Sequence, residues 1–186
     1  VNETLEDFRA LLSESLGGIA RVARIVADLK DFSHVDGGED ALADINDGVR
    51  SALNVATSEV THRADVETAF ASLPPMRCRP GRLNQVFLNL IVNAAQAMDK
   101  RGVIRIGTAL VGGAIHVTVA DTGSGIPPDV LPRIFDPFFT TKDVGRGTGL
   151  GLTISHDIVK AHGGAIEVAS EAGVGTTFTV ILPVKE

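Results

Sequence analysis

Three clusters between Asp121 and Leu152 hold the residue types that could do chemistry. They are Asp121-Thr-Gly-Ser-Gly-Ile-Pro127, Phe135-Asp-Pro-Phe-Phe-Thr-Thr-Lys142 and Gly145-Arg-Gly-Thr-Gly-Leu-Gly-Leu152. Six of the chain's 20 glycines fall here, in a stretch with little apolar periodicity. Glycine costs backbone entropy, so it is concentrated where backbone must approach something closely or take φ > 0. A lone carboxylate, Asp121, precedes the first glycine pair, and Thr140, Thr141, Lys142 and Arg146 precede the later ones. An acceptor at one end, with N–H groups and cations at the other, suits a nucleotide. A carboxylate that accepts from an exocyclic amine would select adenine over guanine, which lacks an amine at that position. Asp-x-Gly-x-Gly is also the pattern of a plain Asx-turn, so this cluster alone leaves both readings open.

A long helix over about 80–99 supplies the other polar group. At 100° per residue Gln85, Gln96, Asn89 and Asn93 fall at about 0°, 20°, 40° and 80°. The remaining positions from Val86 to Met98 are apolar, so the helix is buried on its other sides and turns one amide stripe toward something polar. Amide carbonyls accept hydrogen bonds and ligate hard cations such as Mg²⁺. A solvent-facing stripe is the alternative, although such stripes are more often Glu and Lys. Phe135, Phe138 and Phe139 lie in an expected loop, as a lid that packs over ligand or as a fixed hydrophobic plug. Gly145–Leu152 runs into a helix over about 150–161, whose N-terminus is suited to phosphate. That helix stops at His162-Gly163-Gly164.

The elements that must carry these clusters follow from periodicity. Leu5, Leu12, Ile19 and Val26 fall seven apart in a helix over 4–33, with Phe8, Val22 and Leu29 completing a heptad seam broken by Gly17-Gly18. Residues 36–40 read as a linker. A helix at 45–61, a strand at 65–71, strands at 102–110 and 114–121 joined across Gly112-Gly113, and strands at 165–170 and 175–182 complete the pattern. Helices mixed with antiparallel hairpins predict an α+β two-layer sandwich, a mixed, mainly antiparallel sheet with its helices on one face, preceded by one long helix.

Composition narrows the classes. The net charge of −6 argues against broad binding to nucleic acid or anionic membranes. The single cysteine, Cys78, excludes an intramolecular disulfide and a cysteine-based zinc site and suits a reducing compartment. No apolar run reaches the roughly 18 residues of a membrane span, and Val1-Asn2-Glu3 does not open a signal peptide. The expectation is a cytoplasmic segment whose parent protein is free to be membrane-anchored. The five histidines, His34, His62, His116, His156 and His162, show no metal-ligand spacing and are expected to be structural or solvent-facing.

In order, these segments resemble the boxes of the sensor histidine kinases, in the gyrase, Hsp90, histidine kinase and MutL ATP-binding superfamily. Gln85–Met98 resembles the N box, Asp121–Pro127 the G1 box, Phe135–Lys142 the F box, Gly145–Leu152 the G2 box and Gly175–Phe178 the closing motif, over residues 41–186. The helix over 4–33, ending in Phe32-Ser33, resembles the second helix of the family's dimerisation and phosphotransfer hairpin, giving a partial hairpin at 1–35. The resemblance implies a Bergerat-type ATP-binding fold and transfer of the γ-phosphoryl of MgATP to a histidine, then to an aspartate of a response regulator. It implies an ATP site of Asn89, Asn93, Ala97, Asp121, Gly123, Gly125, Ile126, Phe135, Thr141, Lys142, Gly147, Thr148, Gly149, Leu150, Gly151 and Thr176. Asn93 would ligate Mg²⁺, Asp121 would take the adenine amine with Thr176 acting through water, and Lys142 with the glycine backbone would hold phosphate. Implied partners are ATP and ADP, the chain's own hairpin, a second copy in the parent protein, and a response regulator receiver domain.

Two departures stand out. The Asp that usually caps the N-box helix before its Pro is Arg79 here, so a side-chain cap is missing. The family's phosphoacceptor histidine, followed by an acid and soon by Pro, has no counterpart, and His34 in the Phe-Ser-His exit is not it. No catalytic residue is therefore assigned. Hydrolases and serine kinases of the superfamily carry Glu four residues before the metal-binding Asn, where this chain has Asn89, a poor base. A non-catalytic nucleotide-binding scaffold is the other alternative.

Overall fold

Period-two alternation in the second half of the chain builds the sheet. The computed structural model describes Gly18 and residues 39–142 and 147–184. The expected helix over 4–33 apart from Gly18, most of the linker, and Gly145 and Arg146 lie outside the described residues. Strands β1 (Ala41–Ala43), β2 (Ala64–Phe70), β3 (Met76–Cys78), β4 (Gly102–Val111), β5 (Ala114–Asp121), β6 (Ala165–Glu171) and β7 (Gly175–Pro183) form two sheets. The larger has the order β2-β4-β5-β7-β6. Only β2 and β4 run parallel in it; the other pairs are antiparallel. The β4–β5 hairpin turns at Gly112 and Gly113, with φ of 57° and 80°, the pair of left-handed residues that a tight two-residue hairpin requires.

One face of this sheet is buried: Ile104 and Ile106 on β4, Ile115, Val117 and Val119 on β5, Phe178, Val180 and Leu182 on β7. Helices α1 (Ile45–Val55), α3 (Pro80–Gln96) and α4 (Gly151–Ala161) meet it with Val49, Ala52, Phe87, Leu90, Ile91, Ile154 and Ile158. The result is the α+β sandwich the pattern predicts. A short helix α2 (Thr57–Val60) follows α1, so the single helix expected over 45–61 is two. The break falls where Thr57 Oγ1 donates to Leu53 O and Thr61 Oγ1 to Thr57 O, side-chain bonds that compete with the helix ladder. The three-residue strands β1 and β3 pair with each other and were too short to show a period.

Polar ties lock the layers. Asn46 on α1 donates from Nδ2 to Ala71 O at 2.9 Å and accepts at Oδ1 from Thr108 Oγ1 at 2.8 Å. That joins α1 to the β2–β4 edge with each polar group paired. The start of α3 has Pro80 in its first turn and no side-chain cap, as Arg79 implies. The tie comes instead from 83 residues downstream: His162 Nε2 accepts the Arg79 N–H at 3.1 Å while its Nδ1 donates to Ile158 O at 2.7 Å. His162→Ala should lower stability by about 1 kcal/mol, the net worth of a typical hydrogen bond. A fall of a few degrees in Tm would register it, and an unchanged Tm would remove His162 from this role.

Candidate functional site

A cavity of about 610 Å³ opens between α3, the start of α4 and the loop after β5, within the range of small-molecule sites. Its sheet side begins with Asp121, the last residue of β5, whose side chain falls on the buried face opposite Thr176. Asp121 is 9% exposed. Oδ1 accepts from Gly123 N at 2.8 Å and Thr176 N at 3.3 Å, and Oδ2 has no hydrogen-bond partner among the described residues. Burial raises the carboxyl's pKa above the ordinary aspartate value, and the two backbone bonds pull it partly back. The turn after it is shaped by close backbone contacts. Ser124 N donates to Ala97 O at 2.9 Å at the end of α3. Gly125 takes φ of 67° with no room for a Cβ, which would lie 2.0 Å from Glu171 O. Ile126 N then donates to Ser170 Oγ at 2.8 Å. Gly125, Ile126 and Thr176 join Asp121 on the cavity wall.

The helix side comes from α3 and the segments that face it. Asn89, Asn93, Gln96 and Ala97 line the cavity, whereas Gln85 does not. Lys142 Nζ donates to Asn93 Oδ1 at 2.9 Å and Gln96 Oε1 at 2.6 Å. Burial lowers the Lys142 pKa, with a smaller push from Arg63. Asn89 is differently employed: its Nδ2 donates to Gly151 O at 3.0 Å and Ser155 Oγ at 3.3 Å. The amide stripe thus holds a cation with two members and clamps the first turn of α4 with a third.

Thr141, Gly147, Thr148, Gly149 and Gly151 complete the wall. Gly149 takes φ of 70°, and a Cβ there would meet Phe138 C at 2.4 Å. Phe138 itself holds φ of 65°, an uncommon value for a bulky residue, with its N–H on Gly149 O at 3.0 Å. Of the three loop phenylalanines only Phe139 lines the cavity, beneath the Arg133 guanidinium at 4.4 Å. Phe138 is exposed, and Phe135 packs against the core and the His156 ring.

Three residues singled out from the sequence stand behind the wall rather than on it. Gly123 is buried against Ala97 and Leu150 is buried in the core, while Phe135 receives Thr153 Oγ1 on its carbonyl. Sequence reasoning missed Glu59, Val130 and Ile134 on the wall, did not single out Val92, Ala94, Ser124 and Phe178 within their motifs, and missed Ser170 just behind it. Glu59 lies on α2, paired with Arg63 at 3.8 Å; no motif marks it. Among the described residues no group of three or more His, Cys, Asp or Glu is placed to hold a metal, and no helix is long and apolar enough to cross a membrane.

The family described as histidine kinase-, DNA gyrase B-, and HSP90-like ATPase matches residues 78–186. The sensor histidine kinase ZraS of Escherichia coli K12 is 39% identical over 167 residues, 88% of this chain and 35% of that protein. The chain therefore spans about a third of the length of the ZraS proteins it matches. Full-length ShkA, solved in complex with AMPPNP, superposes with a TM-score of 0.77 at 30% identity, covering 87% of this chain and 35% of that one. The catalytic domain of the histidine kinase ThkA, solved nucleotide-free, gives a TM-score of 0.70 at 29% identity, over 78% of this chain and 96% of that one.

Asn89→Asp tests the clamp. It keeps the shape but removes both donors and sets a carboxylate against the Gly151 carbonyl. The expected cost is about 1–3 kcal/mol in unfolding free energy, measured by denaturant titration; a loss below about 0.5 kcal/mol would mean that the clamp does not hold α4.

Proposed function

The chain belongs to the histidine kinase-, DNA gyrase B-, and HSP90-like ATPase family, and from that premise we propose that it is the ATP-binding kinase domain of a two-component sensor histidine kinase. The observation that carries this is a single cavity with a free carboxylate oxygen on its sheet side and a lysine held by amides on its helix side. Asp121 Oδ2 accepts the adenine amine, and Ile126 packs the ring. Lys142 and the backbone of Gly147, Gly149 and Gly151 meet the phosphates, at or just before the N-terminus of α4.

The donor set fits Mg²⁺: two amide oxygens already converge on a positive charge, the Lys142 ammonium, and Asn93 and Asn89 offer hard oxygen ligands beside the phosphates. Mg²⁺ bound with ATP supplies charge neutralisation on the phosphate oxygens. The chain's own contribution is positioning. An imidazole nitrogen attacks the γ-phosphorus, the bond to the β,γ-bridging oxygen breaks, and ADP leaves. Histidine is its own nucleophile, so a site without a carboxylate at Asn89 is sufficient. The acceptor histidine belongs to a dimerisation hairpin helix outside this sequence, and the onward acceptor is a response regulator aspartate, all within the cytoplasm where ATP is held.

Incubating this chain with γ-labelled MgATP and the histidine-bearing hairpin of a similar kinase should label histidine, as an acid-labile phosphoramidate. Release of free phosphate instead would indicate a hydrolase, and ATP binding without transfer a scaffold; either result overturns the proposal.

Asp121→Asn turns a donor toward the amine while leaving an acceptor for Gly123 and Thr176. ATP affinity should fall by about 100-fold, roughly 2.7 kcal/mol, with the circular dichroism spectrum unchanged. Unaltered affinity in calorimetry would sink the adenine assignment. Ionised Asp121 presents acceptors on both oxygens, whereas protonation places a donor on one of them and removes the negative charge that favours the amine, so affinity is full above its pKa in the folded chain and declines as pH falls through it. Because burial raises that pKa, the decline should begin at higher pH than an ordinary aspartate would give, and a titration of Kd against pH reads it directly.

A further inference from the structure

The lysine on the helix side of the cavity has more anchors than its place in a loop suggests. Lys142 Nζ spends two of its three N–H donors on α3, toward Asn93 Oδ1 at 2.9 Å and Gln96 Oε1 at 2.6 Å. Its backbone N–H goes to Thr140 Oγ1 at 3.2 Å. Its alkyl stem runs beside Gly147, where a Cβ would lie 3.3 Å from Lys142 Cδ. Gln96 is the last residue of α3, and the last turn of that helix carries no basic residue of its own. Lys142 supplies the charge from the loop, at the end where helix carbonyls favour a cation. The lysine is half-buried, so the amide oxygens it meets replace water lost on packing.

The two amides are not equivalent. On the reading of the cavity as an MgATP site, Asn93 Oδ1 is also a ligand for the metal. An ammonium and a divalent cation that share one oxygen repel each other at close range. Gln96 Oε1 makes the shorter contact to Lys142 and is not one of the oxygens put forward for the metal. We propose that Gln96 is a positioning residue for phosphoryl transfer: its side-chain oxygen keeps the Lys142 ammonium at the phosphate end of the cavity when metal takes Asn93. This rests on the reading of the cavity as an ATP site and goes beyond it, because it gives Gln96 a role that is neither metal ligation nor the clamping of α4. Held by Gln96 alone, Lys142 keeps two donors for phosphate oxygens. A lysine without that tether exchanges them with water.

The test is the Kd for ATP, measured by calorimetry on the full 186-residue chain, once with excess Mg²⁺ and once with EDTA. Gln96→Met keeps the side-chain length and removes the acceptor. With Mg²⁺ its Kd should rise about tenfold, the worth of one hydrogen bond to a charged group. With EDTA, Asn93 still holds the lysine, and the rise should stay below about twofold. A purely structural role would weaken both by the same factor, which overturns the proposal, as does an unchanged Kd with Mg²⁺. Gln96→Ala removes the same acceptor with good helix propensity and must repeat the split, so the result does not hang on the folding of one variant. A double-mutant cycle with Lys142→Met gives a second readout. In that background Gln96→Met should cost nothing more, and additive losses would mean that Gln96 does not act through Lys142. An unmodified chain that fails to bind MgATP would overturn the ATP reading itself and this inference with it, whereas tight binding without the metal-dependent split overturns this inference alone.

Discussion

A carboxylate set on the buried face of a sheet is the constraint on which the rest of the molecule depends. Asp121 alternates inward with Ile115, Val117 and Val119, a position that otherwise holds an apolar side chain. An ionised group there is costly unless it is hydrogen-bonded. The chain meets that cost by bringing two backbone N–H groups to Oδ1, one from the turn just after the strand and one from the neighbouring strand. Both must be in register. The first needs a tight turn at Gly123, pressed against the end of α3. The second needs β5 and β7 paired with Asp121 opposite Thr176. The glycines of this loop thus serve chiefly to bring protein backbone against protein backbone, and the open cavity is what that packing leaves over Oδ2.

The helix side solves the converse problem. Helix α3 is buried on most of its circumference by Leu83, Val86, Phe87, Leu90, Ile91 and Ala94, so whatever lines its remaining stripe must be polar without carrying a charge into the layer. Amides meet that condition, and they can donate and accept at once. The structure uses both capacities. Asn93 and Gln96 turn oxygens toward a cation, and Asn89 turns its N–H groups toward the carbonyl of Gly151. A stripe of carboxylates could do the first and not the second.

Much of this was legible in the sequence, and the rest was hidden for physical reasons. Strand β5 matches its expected bounds, and β4 and β7 extend one residue further, because partial alternation bounded by glycine turns marks strand and turn alike. Helix α3 ends at Gln96 rather than near 99, and Met98 beyond it packs so close to Gly102 that a Cβ there would lie 2.5 Å from its sulfur. The residues that lie on the cavity wall are mostly those in glycine-rich or amide clusters. Glu59 was missed because α2 is a single short turn that carries no motif. Ser170 was missed, and the partner of the structural His162 was not foreseen, for a different reason: each acts through a distant segment, Ile126 for one and Arg79 for the other. A periodicity argument sees faces, whereas such ties are created only by the fold.

The same separation clarifies why the chemistry and the architecture cannot be varied independently at Asn89. A superfamily enzyme that activates water needs a carboxylate base near the phosphates. Here that position holds a donor to Gly151 O and Ser155 Oγ, while Ser155 Oγ itself donates to Gly151 O. The Gly151 carbonyl is one that the helix ladder also uses, and two further donors fix its direction and with it the first turn of α4. Introducing a carboxylate would gain a base and lose the donors that fix the first turn of α4. The amide at 89 thus serves the architecture directly: its donors hold the first turn of α4 against α3 at the edge of the cavity, which a carboxylate there could not do.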